Sequence, residues 1–339
     1  GEDARFREYT LEMFCREAAS NTVNLHYTLK EPEQYGITDP PVTFGSFDIE
    51  GEVVKASSEN MRQSLLGFSY DNLDTQNKLT YDVLNYQLKC MDKSAEYLLY
   101  EEPLGLVSGV QTQLPVVLSE YQFYDREDVD DYLALLETTG EYFDSLIRFE
   151  NRKSEAGLFM ADYAADTVIG QCRAFLEMGD GNYLYSTFAD RIEEMEELTN
   201  EEKSNYIQDN ALAIQDCVFP AYEKLIASVE ELKGSGSNEK GLAFLPQGKE
   251  YYELLVEQST GSERSVEEME DLTRRQISDD LEAMEQVLGI SYGEAEEAAA
   301  SIGQENAELL LAYLKQGISR TFPEAPQTEL EVKYVPEQM

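Results

Sequence analysis

The stretch 242–268 most restricts the fold of this chain, because it contains a turn, a helix stop and a helix start in one short passage. It opens LAFLPQG, in which the proline and the glycine break regular structure. The apolar run that follows predicts a short buried helix. Gly261 ends this helix, since glycine adopts the left-handed conformation of a helix C terminus easily. Ser265 and Glu268 have the spacing of a capping box, which starts the next helix.

Similar patterns of apolar periodicity, bounded by capping residues or breakers, predict helices along most of the chain. The predicted helices cover 3–28, 53–66, 75–98, 125–151, 161–177, 199–233, 266–288, a short segment after Ser291, and 305–319. Thr199 and Glu202 form a second capping box, and Pro220 should kink or divide its helix at Phe219. Residues 329–335, ELEVKYV, alternate polar and apolar side chains, which predicts a strand. We therefore predict an all-α fold, an antiparallel multi-helix assembly with a short C-terminal strand.

Apolar spacing also predicts which helix faces are buried. The residues expected to point inward from helix 75–98 are Leu79, Val83, Leu84, Tyr86, Leu88 and Met91. Those expected from helix 125–151 are Val129, Tyr132, Leu133, Leu136, Phe143, Leu146 and Ile147. The uncharged run 114–118 suits a buried helix with Pro115 in its first turn, and it forms either a core connection or the wall of a cleft.

Residues 234–238, GSGSN, have the composition of a linker. They could mark a boundary between two domains. Because the hydrophobic pattern resumes within a few residues, we favour a flexible loop at 234–240 inside one helical assembly.

The strong negative charge excludes several classes of partner. The 26 basic and 68 acidic side chains give a formal net charge of −42. Nucleic acid binding needs clustered Lys and Arg, so neither nucleic acid nor an anionic membrane surface is an expected partner. No apolar run is long enough to span a bilayer.

Few residues could carry catalysis or bind a metal. Cys15, Cys90, Cys172 and Cys217 are far apart and form no CxxC pair, so a structural zinc site is not expected. The single histidine, His26, has no second histidine with which to share a metal. We expect a capping or core histidine with both ring nitrogens hydrogen-bonded, rather than a ligand or a base. The sequence thus predicts no catalytic residue and no metal site in this chain.

The candidate binding residues lie in and after the opening stretch. Tyr251 and Tyr252 could face a substrate channel and donate hydrogen bonds to a peptide carbonyl, and Arg274 and Arg275 are further candidates. An adjacent tyrosine pair is more often half core and half surface. The predicted substrate-binding residues are Tyr251, Tyr252 and Arg274.

The same stretch carries a family resemblance. The pattern Leu245-Pro246-x-Gly248-x-x-Tyr251-Tyr252, followed by Thr260 and a capped helix, resembles the bacterial domain-of-unknown-function family 885 (DUF885). The passages 72–86 and 114–132 also fit, so the resemblance covers nearly the whole chain. Complete members resemble HExxH zinc metallopeptidases with a helical fold akin to carboxypeptidase Taq. The resemblance implies zinc as cofactor, a peptide substrate, and an exported or lipoprotein location.

The chain departs from that pattern at the metal motif, because it contains no HExxH and the family's motif lies downstream of everything here. We therefore interpret residues 1–339 as the helical N-terminal part of a larger protein whose partner is its own missing C-terminal half. Gly1 is interpreted as the remnant of a cleaved tag, with an export signal removed. The expected function is to frame the substrate of an exported bacterial zinc metallopeptidase, without activity of its own. The alternative is a self-sufficient helical binding or scaffold protein.

Overall fold

The computed structural model describes residues 1–236, 238–288, 311–312, 314–315 and 323. Helices account for all of the longer regular structure in this part of the chain, which contains no strand, so the predicted all-α fold is confirmed. The α-helices are α1 Glu2–Ala18, α2 Thr22–Thr28, α3 Gly51–Leu66, α4 Thr75–Ser94, α5 Val110–Glu120, α6 Arg126–Glu137, α7 Thr139–Glu155, α8 Asp162–Glu177, α9 Tyr183–Glu194, α10 Asn200–Ala213, α11 Phe219–Leu232, α12 Gly248–Thr260 and α13 Val266–Leu288. The predicted strand at 329–335 and the helix after Ser291 lie outside the described residues.

The chain forms two compact units, Gly1–Ser262 and Glu263–Met339. The division falls between α12 and α13. The Gly-Ser run at 234–238 therefore lies within the first unit, where Gly234 N donates to Asp162 Oδ1 at 2.8 Å and the Ser154 hydroxyl bonds to the Ser235 hydroxyl at 2.8 Å. Flexibility of 234–240 stays a prediction.

The main core of the first unit lies among α5 to α11. α11 packs against α7 and α8, while α5 packs against α8 and α9. Tyr222 of α11 is fully buried, and its ring centroid lies 4.9 Å from Phe143 and 4.5 Å from Phe175. Aromatic residues bury large areas and add pairwise ring contacts, so this cluster contributes heavily to the free energy of unfolding.

A smaller core joins α1, α3 and α4 through Phe6, Leu65, Leu73, Tyr81 and Leu88. The inward face predicted for α4 is partly wrong, because Leu79 and Val83 are more than half exposed and Met91 is exposed as well. Helix α4 carries apolar residues on two faces. The neighbouring helices cover the face that contains Tyr81 and Leu88, and Leu79 and Val83 lie elsewhere on the helix.

The predicted helix starts are confirmed where a capping side chain is present. Thr199 N donates to Glu202 Oε2 at 2.9 Å, and Ser265 N donates to Glu268 Oε2 at 2.9 Å. At the start of α6, the Asp125 side chain accepts from Glu127 N at 2.9 Å and forms a capping box with Asp128. Such caps satisfy backbone N–H groups that have no partner within the helix.

Several helix boundaries differ from the prediction. The helix expected at 3–28 is broken before Asn21, which caps α2 by accepting from Asn24 N at 2.7 Å. The helix expected at 125–151 is two helices, α6 and α7, that meet at Thr138. Helix α9 was not predicted. The helix expected at 199–233 passes through a π-helical turn, Ile214–Val218, and α11 then begins at Phe219 as predicted from Pro220.

Pro115 lies in the interior of α5 rather than in its first turn, which corrects the prediction. A proline inside a helix has no N–H for the carbonyl four residues earlier, here that of Gln111. The hydroxyl of Tyr222 donates to the Gln111 carbonyl at 2.9 Å and replaces the missing donor. Leu114, Pro115 and Leu118 are buried in the main core, so this run is a core connection.

Candidate functional site

Helix α12 places the predicted tyrosines, and a glycine determines where it begins. A short 3-10 turn, Leu242–Phe244, precedes it. A Cβ atom at Gly248 would overlap the backbone carbonyl of Leu242, so only glycine permits the 3-10 turn and α12 to approach this closely. Gly261 ends α12 in the left-handed conformation with φ 66°, as predicted.

Tyr251 belongs to a cluster of three tyrosines. Its ring centroid lies 5.5 Å from that of Tyr97 and 5.4 Å from that of Tyr100. The Tyr100 hydroxyl accepts a hydrogen bond from Gln247 N at 3.1 Å, which ties the start of α12 to the segment after α4. Burial raises the pKa of both Tyr100 and Tyr251 above the ordinary value of 10.0, so both hydroxyls remain protonated donors at neutral pH.

Tyr100 and Tyr251 border a cavity of about 490 Å³. We call it the tyrosine pocket; its lining is mostly apolar and includes Tyr100, Tyr163, Tyr251, Phe159, Leu242 and Leu255. Glu102 and Asn238 add polar groups. Its size and composition are typical of a small-ligand or side-chain site, in which a few polar groups orient an apolar ligand.

A buried lysine supports one wall of the tyrosine pocket. Lys153 of α7, whose side chain is 0% exposed, donates to the Glu101 carbonyl at 2.6 Å and pairs with Glu102 at 3.1 Å. Near it, Glu150 is also buried, and its two carboxyl oxygens have no hydrogen-bond partner in the described part of the chain. Burial raises the pKa of Glu150 to about 7, with Lys153 acting in the opposite direction.

The structure places the three predicted binding residues differently. Tyr251 lines the tyrosine pocket, whereas Tyr252 is 50% exposed and is not among the lining residues. Arg274 lies on α13 in the second unit, where its Nε donates to Glu270 Oε1 at 3.0 Å. A substrate-binding role for all three stays a prediction. Sequence reasoning missed Tyr97, Tyr100 and Tyr163. For Tyr97 and Tyr100 the sequence signal was the aromatic content of 97–100.

His26 has a buried side chain with one unsatisfied ring nitrogen, which corrects the expectation that both nitrogens are hydrogen-bonded. Its side chain is 7% exposed, and its Nδ1 lies 3.2 Å from Asp128 Oδ1. The ring stacks on Tyr121 with a centroid separation of 3.9 Å. Its Nε2 is buried and has no hydrogen-bond partner among the residues that the structure describes, although we expected both nitrogens to be bonded.

The described residues do not fit a zinc site, because no three or more His, Cys, Asp or Glu side chains lie together in an arrangement that could hold a metal ion. All four cysteines are free thiols. Within the described ranges, no helix combines the length and the apolar character that a membrane span requires.

Comparison with known proteins places the chain in a family. No curated protein matches its sequence. The solved structure of "the putative lipoprotein from Colwellia psychrerythraea" is similar in fold, with a TM-score of 0.73 and 16% sequence identity. The match covers 94% of this chain and 58% of that one, so the present chain spans little more than half the length of that protein. The family of bacterial proteins of unknown function DUF885 matches residues 49–339, well over half of the sequence, and the chain therefore belongs to DUF885.

Proposed function

We propose that this chain is the helical, substrate-framing portion of an exported, lipoprotein-type zinc metallopeptidase, and that it is inactive without a zinc-bearing portion. The observation that carries the proposal is the tyrosine pocket. It offers an apolar volume of about 490 Å³ with protonated tyrosine hydroxyls at its border. A peptide presents the matching features, which are apolar side chains and carbonyl acceptors at regular intervals.

The residues of this chain would bind and orient the peptide. The Tyr251 ring packs against both Tyr97 and Tyr100, so its hydroxyl requires little ordering when a carbonyl binds. Holding a peptide in one geometry contributes to catalysis because it removes translational and rotational freedom before the chemical step. Tyr252, exposed on the same helix, could add a second donor along an extended peptide.

Zinc would be held by ligands beyond the described residues, since those residues do not fit it. When bound, zinc polarises a scissile carbonyl and lowers the pKa of a bound water. The similar lipoprotein chain is considerably longer than this one, which leaves room for such a portion.

Helix α13 provides a surface that suits the missing portion. Its exposed apolar side chains, spaced along the helix, are Leu272, Ile277, Leu281 and Met284. Apolar stripes of this kind are normally covered by another element. The C-terminal half of the same protein is the proposed partner.

The test compares residues 1–339 with a protein extended through the downstream HExxH segment. We expect the extended protein to bind zinc and to hydrolyse peptides with apolar side chains, and residues 1–339 to do neither. Zinc content by elemental analysis and hydrolysis of a peptide library provide the two measurements. Hydrolysis by residues 1–339 without zinc would contradict the proposal.

Substitutions in the extended protein test the pocket itself. Tyr251→Phe preserves ring packing and removes one hydroxyl, so we expect kcat/KM to fall about tenfold, the usual loss for one hydrogen bond. Tyr252→Phe should cause a smaller loss, and Tyr35→Phe, a remote exposed control, should cause none. If residues 1–339 alone bind the same peptides and the extended protein hydrolyses nothing, the chain is instead a helical binding protein.

A further inference from the structure

A second cavity, remote in sequence from the tyrosine pocket, lies beside α2 and the start of α6 and has a volume of about 520 Å³. We call it the histidine cavity; it is lined by His26, Tyr121, Tyr124, Lys30 and seven carboxylates. The carboxylates are Glu31, Glu33, Asp39, Asp125, Glu127, Asp128 and Asp131. Lys30 is the single lysine or arginine among the described residues that line it, so the cavity carries a large excess of negative charge.

His26 supplies an acceptor that the protein leaves unused. Its Nδ1 faces Asp128 Oδ1 at 3.2 Å, and the other carboxylate oxygen of Asp128 accepts from Tyr124 N at 2.8 Å. In the neutral ring, a proton on Nδ1 leaves a lone pair on Nε2. This Nε2 is buried and has no hydrogen-bond partner within the described chain. The whole side chain is only 7% exposed. Leaving a buried polar atom without a partner is unfavourable, so the site suits a ligand with a hydrogen-bond donor.

Asp131 supplies an anion that the protein also leaves uncompensated. The side chains of Asp125 and Asp128 accept hydrogen bonds at the start of α6, whereas the Asp131 carboxylate has only burial and like charges acting on it among the described residues. Partial burial, together with the nearby carboxylates of Glu127 and Asp128, raises the pKa of Asp131 above its ordinary value of 3.8. A bound cation would relieve this repulsion.

Aromatic rings complete the site. The Tyr124 ring centroid lies 5.6 Å from that of His26, and Lys30 Nζ lies 5.7 Å from the same tyrosine ring. The contact with Lys30 shows that this ring can receive a cation, as aromatic faces do. Rings and a single imidazole suit an organic cation better than a metal ion, and the described residues contain no cluster that could hold a metal.

We propose that the histidine cavity binds an organic ammonium group, which donates an N–H to His26 Nε2, pairs with the Asp131 carboxylate and lies against the ring of Tyr124. The source of the ammonium is either a free polyamine or a lysine side chain of a peptide. This site is independent of the proposed peptidase function and of the tyrosine pocket.

The single histidine makes a direct test possible, because every imidazole signal in the protein comes from His26. Protein with ¹⁵N-labelled histidine is titrated with spermidine at about pH 8 in about 0.15 M salt, where nonspecific attraction to the acidic surface is screened. We expect a saturable shift of the Nε2 resonance with a Kd below about 1 mM. A peptide with one lysine, N-acetyl-Gly-Lys-Gly-amide, is the second probe. The probe that binds with the lower Kd identifies whether the ammonium group comes from a free polyamine or from a lysine side chain.

Variants separate the cavity from general charge. Asp131→Asn should weaken binding at least about tenfold, as expected for a lost charged partner. Asp130→Asn is the matched control, because it removes the same charge from α6 but Asp130 bonds to the Tyr206 hydroxyl at 2.8 Å and does not line the cavity. His26→Phe, measured by calorimetry, retains the stack on Tyr121 and should also lose at least about tenfold in affinity. Circular dichroism verifies that each variant is folded.

Three results would overturn the proposal. The first is no saturable shift with either probe. The second is equal weakening by Asp130→Asn and Asp131→Asn, which indicates attraction to net charge alone. The third is unchanged affinity in folded His26→Phe, which removes the role of Nε2.

Discussion

The tyrosine pocket and the histidine cavity have similar volumes, about 490 and 520 Å³, but opposite chemistry. The first is mostly apolar, and its wall is supported by a buried lysine that satisfies a backbone carbonyl. The second is lined by carboxylates, most of which form no ion pair with a described residue, and by an imidazole nitrogen without a hydrogen bond. In the first region the buried Lys153 offsets part of the charge, although the Glu150 carboxyl has no hydrogen-bond partner in the described chain. In the second region the carboxylates and the imidazole line an open cavity, where a cationic ligand would compensate them.

Breaking the lysine support should produce the largest effect. Lys153→Met would leave the Glu101 carbonyl and the Glu102 carboxylate without their partner, and Glu150 without the nearby positive charge. Removing one partner of a buried ion pair typically lowers the free energy of unfolding by about 3 to 5 kcal/mol. Urea unfolding followed by circular dichroism measures the loss.

Lys224→Met is the matched control, because Lys224 is exposed and pairs with Asp144 at the surface. We expect Lys224→Met to change the free energy of unfolding by less than about 1 kcal/mol. Similar losses in the two variants would show that the buried lysine has no special role in the wall.

Glu150 makes the same region sensitive to pH. Because burial raises its pKa to about 7 from the ordinary 4.5, the native state retains the proton to higher pH than the unfolded chain. Stability is therefore lost as pH rises through that interval. Glu150→Gln should remove this loss and be more stable than the parent at about pH 8 by on the order of 3 kcal/mol, with little difference near pH 4.5.

Unfolding free energies at both pH values check this expectation. Glu223→Gln, at an exposed position in α11, should give no pH-dependent difference. If Glu150→Gln is no more stable than the parent at about pH 8, the negative charge of the Glu150 carboxylate is balanced by a partner in solution.

Gly248 tests the close approach that forms the tyrosine pocket. In Gly248→Ala the added Cβ would overlap the Leu242 carbonyl, so we expect a loss of about 1 to 3 kcal/mol from overpacking. In contrast, Gly170 lies inside α8 with no atom within 4 Å of an added Cβ, and Gly170→Ala should stabilise by up to about 1 kcal/mol. Thermal unfolding of the two variants gives the comparison, and a neutral Gly248→Ala would mean that the turn can relax.

The smallest change in the free energy of unfolding should come from the histidine cavity, where removing a charge should stabilise the protein. The raised pKa of Asp131 means that its charge destabilises the native state once pH exceeds the ordinary value of 3.8. Asp131→Asn should therefore stabilise at neutral pH, by at most about 1 kcal/mol because the group is partly solvated. Chemical unfolding at neutral pH measures it. The control Asp130→Asn should not stabilise the native state, since the hydrogen bond from the Tyr206 hydroxyl is weakened. If Asp131→Asn instead destabilises the protein, the Asp131 carboxylate has an attractive partner in solution.

Local signals predicted much of the fold. The capping boxes at Thr199 and Ser265 involve residues three apart, so sequence alone identifies those helix starts. Helix α9 had a comparable signal that was missed, with Asn182 as its cap and Leu184, Phe188 and Ile192 at helical spacing. For α4, periodicity failed because the helix has two apolar faces and only packing decides which is buried.

The candidate sites were harder to predict because they depend on distant contacts. Tyr251 could be selected from its sequence context, but Tyr97 and Tyr100 meet it only in the folded chain. His26 was expected to be a capping or core histidine, yet its partner Asp128 lies far along the sequence and looks there like an ordinary capping acid. Which nitrogen remains unsatisfied follows from tertiary geometry that no spacing rule contains.

The hydroxyl of Tyr222, which bonds to the carbonyl that Pro115 leaves free, has an evolutionary consequence. Proline at 115 is tolerated in the middle of α5 as long as a hydroxyl reaches the Gln111 carbonyl from α11. A lineage that replaces Pro115 by an ordinary helix former restores the backbone bond and makes the hydroxyl redundant, whereas one that first replaces Tyr222 by phenylalanine leaves a buried carbonyl unsatisfied. The two positions should therefore diverge in a preferred order, with the proline changing before the tyrosine.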